Sequence, residues 1–439
     1  MSKKQWLVVC SIAILCSPNL HGQSAQKRKI NINQLFTMAE ENSKSINSFK
    51  TGELAAQQAM KTAKVSRLPD IEASLSGSYI GNGYLWSRNF KEGMSVDMPH
   101  WGNNFSLSAA QVIYSGGAVN AGIAIAELKQ KMSRLDLEKN RQDIRFMLVS
   151  KYLDICTVIN QQEVIKQNIE LTKRLIENTN ERTAQGTALK NDVTRYELQL
   201  ENMKLQLRKL EDAYSILNHD IVAAINLPYG TEIIPENDDY TNLPEKGDEE
   251  IWINNAQNAN VNIIQTQTAV DINKKLLKLE RSEQLPKIML MAEEHLDGPI
   301  LVEVPVINKN FNYWFVGLGV KYNISSLFKN NKKIKQASLL LTQSEQNREL
   351  VKEGIGNAVH ASYTDYLTSF SECDTQQKSV ELATRNYNIV KDRYENGLAL
   401  LTDMIDASNI KLSAELNLVN ARISILFNYY KMKYNSSSL

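Results

Sequence analysis

Proline and glycine are scarce in this chain, at 9 and 19 of 439 residues, and their gaps are more telling than their number. From Gly117 to about Thr183 there is no proline and one internal glycine, Gly122, so nothing in that span interrupts a helix. A helix of that length is roughly 100 Å long, more than any compact domain needs. Cysteine is scarcer still, at 4. Cys10 and Cys16 fall in an N-terminal leader; Cys156 and Cys373 lie in helical stretches and read as small buried residues rather than a disulfide framework. Excess charge is absent: 50 Lys and Arg balance 49 Asp and Glu, which argues against nucleic acid as a partner. No apolar run beyond the leader approaches the ~20 residues of a membrane helix. His100, His219, His295 and His360 stand too far apart for a metal pair, and no Walker loop, nucleophile elbow or paired-cysteine motif occurs. No metal, cofactor or enzyme chemistry is expected.

The leader sets the compartment. Lys3 and Lys4 precede an apolar stretch from Trp6 to Leu15, and Gly22 offers a small residue before a cut. Residues 1–22 read as a secretory signal peptide. A lipid anchor on Cys16 is the alternative, opposed by the large Leu15 directly before it.

What remains says nearly the same thing twice. Leu68–Pro69 and Leu285–Pro286 each close a helical stretch and open a strand-like one. Arg182 to Gly186 (RTAQG) recurs as Arg393 to Gly397 (RYENG), with Tyr152, Leu189 and Asp192 matched by Tyr363, Leu400 and Asp403 at the same offset. Such a period is too long for a solenoid unit and marks a duplicated half. The expected halves are residues 23–227 and 250–434, joined by the Asp-, Glu- and Pro-rich linker 228–249 and followed by a tail 435–439. Each half reads as helix, two strands, a very long helix, a glycine turn and a second long helix.

The second long helices carry packing seams. Leu189, Val193, Tyr196, Leu200, Met203, Leu207, Leu210, Tyr214, Leu217 and Ile221 alternate spacings of four and three, a sustained heptad pattern. Ile405, Asn409, Leu412, Leu416, Val419, Ile423, Leu426 and Tyr430 repeat it, and Ala407, Ala414 and Ala421 add a small-residue stripe one heptad apart. Two stripes on one helix call for a bundle or tube.

The strand-like segments alternate in polarity. Ile71, Ala73, Leu75, Gly77 and Tyr79 alternate with Glu72, Ser74, Ser76 and Ser78; Val316, Leu318, Val320 and Tyr322 alternate with Gly317, Gly319 and Lys321. Phe105 and Leu107 alternate with Ser106 and Ser108, while Ile288 to Glu294 alternates weakly. The expected hairpins, 70–114 and 287–324, have strands about as long as the 9–11 residues of a tilted transmembrane strand. Trp86, Trp101 and Trp314 fall in or beside them, as an interfacial aromatic girdle requires. Taken alone, the segments fit a small soluble sheet equally well. In a membrane, however, four strands cannot close a barrel, and open edges facing lipid leave backbone groups unpaired. Two chains would give eight strands and a filled interior; three give twelve and room for a lumen.

With these residues in place, the mature chain resembles the TolC-like outer-membrane efflux family over essentially its whole length. The resemblance rests on the duplication, the proline crossings and the glycine-centred hairpins, most specifically the run from Tyr394 to Ala407 (YENGLALLTDMIDA). It implies a mainly α fold with a transmembrane β-barrel: a homotrimer whose shared twelve-stranded barrel, four strands per chain, continues into a long α-helical coiled-coil tunnel. It also implies an outer-membrane channel for efflux or type I secretion, working with a periplasmic adaptor and an inner-membrane pump of RND or ABC type. The alternative from another class is a non-conducting periplasmic coiled-coil scaffold.

The resemblance makes the hairpin tips the periplasmic entrance and the place where an adaptor docks, through Arg182, Gly186, Leu189, Asp192, Arg393, Gly397 and Leu400. Asp403 and Asp406 share a helix face. In a threefold assembly they would form carboxylate rings that favour cations and respond to pH; the plainer reading is that Asp403 supports a helix N-terminus and Asp406 is a solvated charge. In the best-studied pattern of the family a tyrosine and an arginine flank the tip glycine and hold the entrance shut. Tyr394 matches the tyrosine, but Ala399 stands where the arginine would be.

Overall fold

A computed structural model describes residues 27–236, 247–303 and 305–439. The expected signal peptide and residues 237–246 of the expected linker lie outside the described residues. Strand β1 (Lys27–Ile30) and helices α1 (Ile32–Asn42) and α2 (Lys44–Val65) lead into β2 (Asp70–Tyr79). A small hairpin, β3 (Gly83–Trp86) and β4 (Gly93–Val96), precedes β5 (Trp101–Tyr114). Then come α3 (Ala118–Ala184), α4 (Lys190–Ala224) and β6 (Glu232–Pro235). The second half repeats the order with α5 (Glu249–Ala259), α6 (Val261–Ser282), β7 (Lys287–Gly298), β8 (Phe311–Lys321), α7 (Ser326–Glu395) and α8 (Leu401–Asn435).

The four long strands form one antiparallel sheet in the order β2-β5-β7-β8. The β5–β7 pairing, from Asn103↔Gly298 to Tyr114↔Ile288, fuses the hairpins of the two halves. Strands β2 and β8 are left as edges. Strand β7 alternates weakly in sequence because Met289 and Met291 share a face with Glu293 and His295; two neighbours hold it in register nonetheless. The first turn of the backbone into α3 uses Gly116 (φ 61°) and Gly117 (φ 87°). A Cβ on Gly116 would lie 2.8 Å from Leu285 Cβ, so the close crossing of the two halves at this level also excludes a side chain.

Helix α3 holds 67 residues and α7 holds 70, each about 100 Å of rod. Each folds back on its partner, and α3 also packs against α8. The heptad positions Tyr196, Met203 and Ile221 are buried, as are Leu412, Ile423 and Leu426. Leu189 departs from the expected seam: it is the N-cap residue of α4 and 71% exposed. Ala407, Ala414 and Ala421 are all buried, so the small stripe of α8 is a second packing face.

Two features have no counterpart in the sequence reading. The helix before each strand pair is broken in two, at Ser43 and at Asn260, whose backbones are extended. The segment after α4, read as linker, contributes β6, which pairs in parallel with β1. Tyr152, fully buried, donates to the Ile30 carbonyl at 3.0 Å, and its hydroxyl accepts from Glu236 N at 3.1 Å. Its repeat counterpart Tyr363 donates to the Gly247 carbonyl at 3.0 Å. Each half thus uses one tyrosine midway along its longest helix to hold a short segment against it. Arg141 of α3 grips Glu40 of α1 through two bonds, at 2.9 and 2.7 Å, and holds that carboxyl below the usual carboxylate range.

Candidate functional site: the paired hairpin tips

Both long helices end in the same way. At the end of α3, Thr187 N donates to Arg182 O (2.8 Å) and Gly186 N to Thr183 O (3.1 Å); at the end of α7, Leu398 N donates to Arg393 O (2.7 Å) and Gly397 N to Tyr394 O (3.0 Å). This crossed pair of bonds is the Schellman stop, which needs a left-handed residue between helix and turn. Gly186 and Gly397 supply it, both at φ 74°. Within three residues the next helix begins. Leu189 N donates to Asp192 Oδ2 at 3.2 Å, and Leu400 N to Asp403 Oδ2 at 3.0 Å. Each carboxylate therefore satisfies one of the amide donors a helix start leaves open, at the positive end of the helix dipole.

Asp403 thus has a structural duty, as one of the two readings of the sequence held, and its carboxylate is also exposed. Asp406 is exposed as well and has no capping role; it lines a groove between α4 and α8 with Arg195, Gln199 and Asn409. Gln199 Nε2 bridges that groove to Asn409 Oδ1 at 3.1 Å. Leu189, Leu398 and Leu400 project at the very ends, 70–71% exposed. Arg393 is exposed, whereas Arg182 and Asp192 are half-buried.

The structure places a different arginine against Tyr394. The Arg182 guanidinium lies over the Tyr394 ring, 4.9 Å from its centroid, and Arg182 Nη1 donates to the Tyr394 carbonyl at 3.3 Å. A cation thus reaches Tyr394 from the opposite hairpin. Tyr394 is buried in a cluster with Leu175, Tyr196, Tyr387, Leu401 and Met404, which locks the tip of one hairpin to the other. Burial, then the neighbouring Tyr394 and Tyr387, pushes the Tyr196 phenol well above its ordinary value. The only sequence hint of this arrangement is a broken repeat: Tyr394 stands where the first half has Thr183.

Comparison with known proteins agrees with this architecture. The sequence model of the family "Outer membrane efflux protein" matches residues 35–227 and 252–429, one span in each half. The chain is 18% identical over 437 residues to outer membrane protein TolC of Salmonella enteritidis, covering 98% of this chain and 86% of that protein. It is 19% identical to TolC of Escherichia coli K12, covering 96% and 85%. Its fold superimposes on the outer membrane protein VceC of Vibrio cholerae with a TM-score of 0.79 at 12% identity, covering 92% of this chain and 95% of that one. For the Campylobacter jejuni CmeC outer membrane channel the TM-score is 0.76 at 17% identity, covering 93% and 85%. With its duplicated halves, its four-stranded sheet and its helical hairpins matched over nearly their whole extent, the chain belongs to the outer membrane efflux protein family.

Proposed function

We propose that this chain is one of three identical subunits of a passive conduit across the Gram-negative outer membrane, with its helical tunnel in the periplasm. The observation that carries this is the sheet itself. Its four strands are apolar on one face and open at both edges, and they continue directly into rods about 100 Å long. Three such sheets joined edge to edge leave no unpaired strand in lipid and enclose a lumen. Cargo enters at the hairpin tips from a periplasmic adaptor and an inner-membrane pump, of RND or ABC type, which supplies the energy. The chain is a duct and not an enzyme.

In this reading Asp403 and Asp406 ring the periplasmic entrance and favour cations. Arg182, Gly186, Leu189, Asp192, Arg393, Gly397 and Leu400 form the docking tips, where the exposed leucines suit the apolar end of an adaptor hairpin. Tyr394, gripped by Arg182, holds the entrance narrow. The test is single-channel recording of the detergent-purified protein in a planar bilayer, native and as Asp403→Ala/Asp406→Ala. Discrete cation-selective steps are expected, with selectivity weakened in the double variant. Steps whose selectivity ignores both substitutions would remove the carboxylate ring from the entrance.

A further inference from the structure

The strand registers sort the barrel residues into two faces. One carries Ile71, Leu75, Leu107, Leu290, Leu318 and Val320 and suits lipid. Glu294 is its one acid, near the outer end of β7 beside Trp314, and it accepts from Asn312 at 3.3 Å. The opposite face suits a water-filled lumen: β2 and β5 give it serines, with Ser74 and Ser106 bonded to each other at 2.8 Å.

Strands β7 and β8 break that polar pattern in an ordered way. Phe311, Tyr313 and Phe315 are alternate residues of β8, so all three point into the lumen. The register sets them directly opposite Asp297, His295 and Glu293 of β7. His295 stacks on Tyr313 with centroids 5.0 Å apart, Phe311 stacks on Tyr313 at 5.3 Å, and His295 Nε2 lies 3.0 Å from Glu293 Oε2. Asn104 donates to Asp297. The three rings stay 52%, 38% and 40% exposed. Rings half-exposed beside a serine-lined wall contribute nothing to the lipid face, and their stacking on one another and on His295 leaves much of their surface open. What they offer is π surface within one residue's reach of carboxylates.

We propose that this β7–β8 ladder is a track for organic cations in the outer half of the barrel, and that it selects cargo joining an aromatic or alkyl body to a positive charge. Such a solute gains from ring and carboxylate together, a neutral apolar solute from the ring alone, and an aromatic anion meets repulsion from Glu293 and Asp297. The inference rests on the reading that the lumen is the exit path, and it is independent of how the entrance is held.

Three probes separate the terms in a bilayer holding the trimer: benzyltriethylammonium (ring and cation), tetraethylammonium (cation without ring) and benzenesulfonate (ring and anion). Added on the barrel side, benzyltriethylammonium is expected to reduce single-channel current at about tenfold lower concentration than tetraethylammonium, with benzenesulfonate inert. Phe311→Ser/Tyr313→Ser/Phe315→Ser should abolish the advantage over tetraethylammonium, and Glu293→Gln/Asp297→Asn should weaken block by both cations. The carboxamide pair preserves shape and register, so it remains informative if the triple serine variant does not assemble. Equal block by the cationic and anionic ring probes, or block unchanged in the carboxamide pair, overturns the track. Loss of benzyltriethylammonium's advantage over tetraethylammonium in Asp403→Ala/Asp406→Ala, with that advantage kept in the triple serine variant, would put the site at the entrance and overturn the track. Absence of any conductance steps would instead sink the conduit reading. Calorimetric titration of the trimer with benzyltriethylammonium then decides the track, since binding that does not weaken in the carboxamide pair refutes it.

Discussion

Removing the Arg182 side chain is the sharpest test of how the entrance is held. In the structure its guanidinium makes two contacts with the opposite hairpin: the Tyr394 ring at 4.9 Å and the Tyr394 carbonyl at 3.3 Å. A cation over a ring contributes about 0.5–1 kcal/mol when exposed and about 2 when desolvated. A hydrogen bond from a charged donor contributes roughly 1.5–3 kcal/mol, and at 3.3 Å this one belongs at the weak end. Arg182 is half-buried, so the pair together is worth about 2 kcal/mol, or roughly thirtyfold in the balance of closed and open forms for each chain. Arg182→Ala is therefore expected to raise the open-level dwell of single channels by at least tenfold, and by more if the three chains open together. Tyr394→Leu removes the ring but leaves the carbonyl acceptor, so about fivefold is expected. The double variant should exceed Arg182→Ala only slightly, because both singles remove the same ring contact. If Arg182→Ala channels gate as the native ones do, the two-hairpin tie does not hold the entrance, and the contact is packing alone.

Four further outcomes follow from local physics. Gly397→Ala meets no neighbour within 4 Å, but it forces a Cβ onto φ 74°; a loss of about 1–2 kcal/mol in thermal unfolding is expected, with Gly397→Asn losing less. Asp403→Ala should lower stability by about 1 kcal/mol through its lost bond to Leu400 N, whereas Asp406→Asn should change ion selectivity without changing the melting temperature. Ala414 is buried on the second stripe of α8, so Ala414→Leu should cost about 1–3 kcal/mol by overpacking, read as a lowered melting temperature. Glu40 has a carboxyl held below its ordinary value of 4.5, first by its bonds to Arg141. Because the folded value is the lower one, its contribution is complete above the ordinary value of 4.5 and is lost as pH falls from there through the folded value. With both side chains about a third exposed, the contribution is about 1 kcal/mol at most, and a Glu40→Gln variant should lose less stability than the native protein between neutral and acid pH.

The sequence carried as much of this molecule as periodicity and backbone chemistry could write into it. The heptads of α4 and α8 and the near absence of glycine from α3 declare rods, since a helix face repeats every few residues whatever it packs against. Gly186, Gly397 and the acids three residues beyond the N-caps declare the tips, because the bonds they make are local. Strands β1 and β6 were illegible: each has four residues and depends on a partner some two hundred residues away. The breaks at Ser43 and Asn260 were hidden too, for neither position holds a proline or glycine to announce them.

The tie between the tips belongs to the same hidden class. Arg182 and Tyr394 are separated by 212 residues, so no spacing rule connects them, and with Ala399 at the expected arginine position nothing in the sequence pointed to another cation beside Tyr394. Yet the duplication offers a way to find such contacts. Where the two halves agree, as at both glycine stops and both capping acids, the residues serve an operation each hairpin performs on its own. Where they diverge, as at Thr183 against Tyr394, a residue is free of that duty and available to the other hairpin. Two identical hairpins per chain would give a tube of near sixfold character, with no reason for one pair of tips to hold the other. In the proposed trimer, one ring and one guanidinium on opposite hairpins would reduce it to three equivalent ties. An entrance so held would be released by moving one hairpin in each chain while the other stayed fixed in the wall of the tube.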